Sequence, residues 1–283
     1  MADSTTQAGY APVNGLQMYY EIHGAGDGTP LVLLHGSFMS IMTNWGAWLP
    51  ALVRDRQVIA VELQGHGRTA DIDRALSYEQ LADDIDALLA FLEIDRADIL
   101  GYSMGGHAAL AVAIRHPERV RKLVVVSAGF SVEASYPEVV AGIAAITPEL
   151  FAGSPIEAEY ARLAPEPGNW PRLIEKVKAL SGAWQGWSPE DVAGIESPTL
   201  IVLGDADGVR PEHAVEFFRL RGGGVFGDYA GVPEAQLAVL PGTTHLGVMT
   251  RLDLLQAIVP PFLDAPSAGA PQAQAENDES SRR

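Results

Sequence analysis

The chain has 283 residues, 47% of them apolar, and 36 acidic against 19 basic side chains give a formal net charge of −17. That field repels nucleic-acid phosphates and anionic membranes, so neither is an expected partner. There is no cysteine, which excludes disulfides, thiol nucleophiles and cysteine-ligated metals together.

Residues Met1 to Tyr10 are polar and lack the basic-then-apolar order of a secretory signal. No apolar run approaches the ~18 residues of a membrane span, so a cytoplasmic protein is expected. Tyr10-Val13 and Gln17-His23, separated by Asn14-Gly15, predict an antiparallel hairpin at one sheet edge. Short apolar runs follow at Leu31-Leu34, Val58-Val61, Ile99-Leu100, Leu123-Val126, Leu200-Leu203 and Leu237-Leu240. Without polar alternation, such runs suit strands buried on both faces of a parallel sheet.

Helical patterns lie between the runs. From Tyr78 to Leu92, residues Leu81, Ile85, Leu88, Leu89 and Leu92 fall on one face, with Asp83, Asp84 and Asp86 mostly off it. Ser77 and Gln80 have capping-box spacing. A second helix is expected from Met104 to about His116, stopped by Pro117. Alternating strands and helices predict an α/β fold with a doubly wound, mostly parallel sheet.

The alternation breaks after Phe130. Residues 131–197 contain repeated prolines and short helical pieces but no strand-like run, which predicts a helical cap or lid inserted between sheet strands. The core then comprises residues 1–130 and 198–264. From Ala265 large apolar side chains nearly vanish, so 265–283 is read as a flexible tail.

The chemistry concentrates at Gly101-Tyr102-Ser103-Met104-Gly105-Gly106, where a serine flanked by glycines joins a strand-like run to an alanine-rich helix. A nucleophile elbow needs this: a sharp turn whose neighbours lack side chains that would clash. A serine hydroxyl needs a base to take its proton and an acid to orient that base. Leu200-Leu203 leads into Gly204-Asp205-Ala206-Asp207-Gly208, with two candidate acids, and Leu237-Leu240 leads into a loop ending at His245. The chain order serine, acid, histidine is that of a nucleophile-elbow enzyme. No histidine joins a metal-ligand cluster by spacing. His66 and His107 match no base position, and His23, His116 and His213 read as surface or structural.

On these residues the chain resembles the α/β-hydrolase family that includes small carboxylesterases, lactonases and cofactor-free haloperoxidases, over about residues 10 to 264. Leu33-Leu34-His35-Gly36 is similar to the family's oxyanion loop. Gln64-Gly65-His66-Gly67-Arg68-Thr69 is similar to its R-G-x-G-x-S turn, with Gln for Arg and Thr for Ser. The resemblance selects Asp207 over Asp205 as the acid, leaving Asp205 to cap the following turn. It implies an oxyanion hole from the N–H groups of Ser37 and Met104, with His35 hydrogen bonding that loop into shape.

Phe38, Met39 and Trp45 near the oxyanion loop, and Trp184 and Trp187 in the insertion, are candidate substrate contacts, although packing of the loop and lid would equally use them. Arg162, Arg172 and Lys176 are candidate contacts to a substrate carboxylate. The expected activity is cofactor-free hydrolysis of a small carboxylic ester or lactone through an acyl-enzyme. Carbon–carbon cleavage of a β-diketone, perhydrolysis, and a ligand-binding receptor on the same fold are the alternatives. Dehalogenase and epoxide hydrolase chemistry would put a carboxylate where Ser103 stands.

Overall fold

The structure, a computed structural model, describes residues 5–266. The strands are β1 (Thr5–Val13), β2 (Leu16–His23), β3 (Leu31–Leu34), β4 (Val58–Val61), β5 (Ala97–Tyr102), β6 (Val120–Val126), β7 (Thr199–Ala206) and β8 (Ala235–Thr244). They form one sheet in the order β1-β2-β4-β3-β5-β6-β7-β8. β1, β2 and β4 pair antiparallel, and the rest pair parallel. The hairpin turns at Asn14 (φ 46°) and Gly15 (φ 87°), both left-handed as a two-residue turn requires.

The helices are α1 (Ile41–Trp45), α2 (Leu49–Leu52), α3 (Tyr78–Phe91), α4 (Met104–Arg115), α5 (Pro137–Ala144), α6 (Pro155–Leu163), α7 (Trp170–Ala183), α8 (Pro189–Ala193), α9 (Pro211–Leu220), α10 (Gly227–Ala230) and α11 (Leu252–Asp264). Successive strand residues point to opposite faces, so Val32, Leu34, Ile59, Val61 and Ile99 pack with α3, α4 and α9. Leu31, Leu33, Val58, Ala60 and Leu100 pack with α1, α2 and α11. Burial on both faces explains the runs in β3 to β7, but not Leu237-Leu240: β8 is an edge strand, Leu237 and Ala238 are half-buried and Val239 is exposed, which corrects the expectation for that run.

Ser77 caps α3 by accepting the Gln80 N–H at 3.1 Å, but the Gln80 side chain reaches Asp84 instead of completing the box. Asp84, expected off the apolar face, is fully buried, because Arg74 at 2.6 Å and Asn14 at 3.0 Å supply the partners its charge needs. Between β6 and β7 the chain runs through α5, α6, α7 and α8 with no strand. An isolated bridge, Ser131 to Gly186, ties the start of this excursion to its end.

Strand order reverses about β3, with β4 on one side and β5 on the other. Ligands of open α/β sheets bind at such switch points, outside the strands' carboxyl ends. Among the described residues no helix is long and apolar enough to cross a membrane. The tail assigned to 265–283 lies outside the described residues from 267 onward.

Candidate active site

Ser103 sits between β5 and α4 with φ 53° and ψ −117°, a conformation costly for any residue with a Cβ. The glycines make the turn possible: a methyl on Gly101 would strike the Gly105 carbonyl, and one on Gly105 the carbonyl of Leu34. The hydroxyl is thereby held at the carboxyl end of β5.

β7 and β8 pair out to Ala206 and Thr244, so the next residue on each strand, Asp207 and His245, leaves the sheet at the same height. Gly204 permits the close approach, since a methyl there would strike the Thr243 carbonyl. His245 Nε2 lies 3.0 Å from Ser103 Oγ, and His245 Nδ1 lies 2.7 Å from Asp207 Oδ1. Asp207 is 5% exposed and also accepts from Ser127 Oγ at 2.6 Å, Val209 N at 3.2 Å and Gly204 N at 3.3 Å. Burial alone would raise its carboxyl, but the His245 and Ser127 bonds outweigh that and hold it below the usual carboxylate range. Tyr102 donates its hydroxyl to the His245 carbonyl at 3.0 Å, tethering the histidine loop to β5.

The loop after β3 runs close to the serine: a methyl on Gly36 would lie 2.9 Å from the Tyr102 ring and 3.5 Å from Ser103 Cβ. Ser37 is the next residue, and Met104 opens α4 on the other flank. His35 is fully buried beneath this loop. Its Nε2 accepts from Leu63 N at 3.0 Å and its Nδ1 donates to Gly36 O at 2.8 Å. Burial pushes its imidazole down to about 3, so it stays neutral as that pair of bonds requires. Asn44 Oδ1 accepts the Gly36 N–H at 2.9 Å and fixes the loop from α1.

A family model described as alpha/beta hydrolase fold matches residues 29–169. The 2-hydroxy-6-oxo-2,4-heptadienoate hydrolase of Pseudomonas putida strain F1 is 33% identical over 211 residues, which cover 67% of this chain and 76% of that protein. The chain belongs to the alpha/beta hydrolase fold family. A 2-hydroxymuconate semialdehyde hydrolase of Pseudomonas sp. strain CF600 is 43% identical over 115 residues, but that match spans only 39% of this chain and 40% of the relative. A meta-cleavage product hydrolase from Pseudomonas fluorescens IP01 shares the fold with a TM-score of 0.71 at 23% identity, covering 92% of this chain and 98% of that one.

In this alpha/beta hydrolase, Ser103, His107, Ser127, Ser135, Val139 and Leu246 help line a cavity of about 400 Å³. Met39 lines a second cavity beside it. Trp45 does not line either: it is fully buried under the sheet with Trp48, which corrects its assignment as a substrate contact. Phe38 packs on Phe151 and Trp170. Trp184 and Trp187 pack on Tyr78, and Trp184 also stands 4.5 Å from the His107 ring, so they join the inserted helices to the core.

The candidate cations are spent elsewhere. Arg162 pairs with Glu159, while Arg172 and Lys176 pair with Asp71 at 2.8 and 2.7 Å and fasten α7 to the 71–74 loop. Asp205 is exposed and accepts the Thr243 N–H at 3.0 Å. The backbone N–H groups of Gly242 and Thr243, and that of Ala206 in its own turn, hold its carboxyl below the usual carboxylate range. On the surface, carboxylates of Asp86 and Glu118 and the His116 ring approach within 4.8 Å, a cluster the spacing did not indicate. There Arg119 pairs with Asp86 at 2.6 Å and Asp83 with His116 at 2.8 Å. Ser127, Tyr102 and Asn44 were not singled out from sequence. Ser127 carries the one available sign, small residues directly after the Val124-Val126 run.

Proposed function

We propose that the chain hydrolyses a neutral carboxylic ester or lactone through an acyl-enzyme on Ser103. The observation that carries this reading is the unbroken chain of contacts from Ser103 Oγ through His245 to Asp207, at 3.0 and 2.7 Å. His245 Nε2 takes the hydroxyl proton as Oγ bonds to the carbonyl carbon, and Asp207 supports the imidazolium that forms. The N–H groups of Ser37 and Met104 receive the oxyanion. His245 then returns the proton to the leaving oxygen as the C–O bond breaks. A water deprotonated by the same nitrogen releases the acid and restores Ser103.

Among the described residues neither cavity at the site is lined by lysine or arginine, and this supports an uncharged substrate. Carbon–carbon bond hydrolysis is the second reading, favoured by the names of the heptadienoate and muconate semialdehyde hydrolases it resembles. A panel of short nitrophenyl esters, lactones, β-diketones and carboxylate-bearing dienones separates them. Turnover of esters or lactones at least ~10²-fold above the dienones in kcat/KM is expected. Preference for the dienones would transfer the assignment to the second reading.

A further inference from the structure

The cavity of about 400 Å³ that opens on Ser103 and His245 is lined mostly by small and apolar residues, and among the described residues no acidic side chain, lysine or arginine lines it. Most of its polar groups are committed. Ser103 and His245 bond to each other, Ser127 donates to Asp207, and Thr244 Oγ1 accepts the Gly247 N–H. The Ser135 hydroxyl turns to donate or accept and imposes no choice on a ligand. His107 does impose one.

His107 stands one helical turn after Ser103 in α4, its backbone N–H on the Ser103 carbonyl at 3.0 Å. Its ring packs on Tyr78 and Trp184, at 5.1 and 4.5 Å between centroids. Burial pushes the imidazole down to about 3, so the ring is neutral and carries one N–H and one lone pair. Nδ1 is buried and makes no full hydrogen bond. A helical side chain leans back over the turn before it, which sets Nδ1 against the Ser103 carbonyl, the group that draws the ring proton. A bare lone pair there would face the lone pairs of that oxygen, so the proton belongs on Nδ1 and the lone pair on Nε2. Among the described residues Nε2 has no hydrogen-bond partner, and unlike Nδ1 it is not sealed off. The half-buried ring therefore presents Nε2 to the cavity that it lines.

We propose that this cavity receives an ester or lactone arm bearing a hydroxyl group, which donates to His107 Nε2. The proposal rests on the ester-hydrolase reading and adds the class of substrate. An alkyl arm would exclude water from Nε2 and leave its lone pair unmet, and an ammonium arm finds no carboxylate among the lining side chains.

The test measures kcat/KM, which reports acylation, for esters matched in shape by exchanging a methyl for a hydroxyl. On the acyl arm, ethyl 3-hydroxybutyrate is set against ethyl 3-methylbutyrate and, at longer reach, ethyl 5-hydroxyhexanoate against ethyl 5-methylhexanoate. On the alcohol arm, 2-hydroxypropyl butyrate is set against 2-methylpropyl butyrate. In at least one pair the wild-type protein is expected to favour the hydroxyl ester by ~10-fold or more beyond the ratio in alkaline hydrolysis, the scale of one satisfied buried acceptor. His107→Phe keeps a ring for Tyr78 and Trp184 and removes the acceptor, so in that pair the preference should vanish or pass to the methyl ester. A purely structural role for His107 would lower both rates together and leave their ratio unchanged. Wild-type preference for the methyl ester, or none, in every pair overturns the inference, as does a hydroxyl preference that survives His107→Phe; the wild-type order decides if the variant does not fold. Where those outcomes come with ester turnover and fluorophosphonate labelling of Ser103, the hydrolase reading stands without the inference. If no ester turns over and Ser103 stays unlabelled, that reading fails and takes the inference with it.

Discussion

Replacing Asp207 with asparagine exchanges one oxygen for an NH₂ in a carboxylate that receives bonds from His245, Ser127, Gly204 and Val209. With the remaining oxygen at the Oδ1 position, the NH₂ faces the Gly204 N–H, donor against donor. In the flipped orientation it faces His245 Nδ1 and forces the ring proton to Nε2, the nitrogen that must receive the Ser103 proton. Either arrangement is defective, and the second abolishes the base. The expected loss in kcat is about 10³- to 10⁴-fold, or 4 to 5 kcal/mol of transition-state stabilisation. Asp205 is a control two residues away: its carboxylate is exposed and accepts only backbone N–H groups among its recorded partners, that of Thr243 at 3.0 Å. Asparagine retains an acceptor for that bond, so Asp205→Asn should cost less than ~3-fold. Initial rates on a nitrophenyl ester, with circular dichroism to verify folding, measure both. A larger loss for Asp205→Asn than for Asp207→Asn would refute the assignment of the acid.

Ser127→Ala removes the 2.6 Å bond to Asp207 but leaves its other partners, so kcat/KM on the same ester should drop about tenfold; an unchanged rate would remove Ser127 from the site. Gly105→Ala forces a methyl against the Leu34 carbonyl, and thermal melts should report a destabilisation of about 2 kcal/mol or more, with no change expected if the turn were loose. Burial holds His35 and His107 neutral down to about 3, and His66 and His213 down to about 4, whereas the same side chains in the unfolded chain take a proton near 6.5. Below pH 6.5 the unfolded state therefore binds more protons than the native one, and stability falls by about 1 kcal/mol per histidine per pH unit until the native values are reached. Melting temperature measured from pH 7 to 4.5 should fall throughout, and a flat profile would contradict the burial of these rings.

Ser103 was legible because its turn is a local steric problem: only glycines at 101 and 105 avoid the carbonyls that a methyl would strike. His245 and a pair of acids, Asp205 and Asp207, were legible on loops after apolar runs that become adjacent parallel strands, and the family resemblance singled out Asp207. What the sequence hid depends on which strands become neighbours. Ser127 reaches Asp207 only because β6 lies beside β7, and Asn44 is seen as a support for Gly36 only once α1 is folded over the loop. Trp45 was misread for a similar reason. Ile41, Trp45, Trp48 and Leu49 share one buried face, so α1 and α2 turn the ring under the sheet instead of toward the serine. Arg172 and Lys176 seemed available until the fold brought Asp71 to them from a hundred residues earlier.

Mass spectrometry of the native protein after exposure to a fluorophosphonate bears most directly on the proposed chemistry. The adduct should be stoichiometric, confined to the peptide carrying Ser103, and lost in His245→Ala, which removes the base while keeping the serine. Folded protein that remains unmodified, or that is labelled equally well without His245, would show that the 3.0 Å contact between that imidazole and the hydroxyl does not activate a nucleophile.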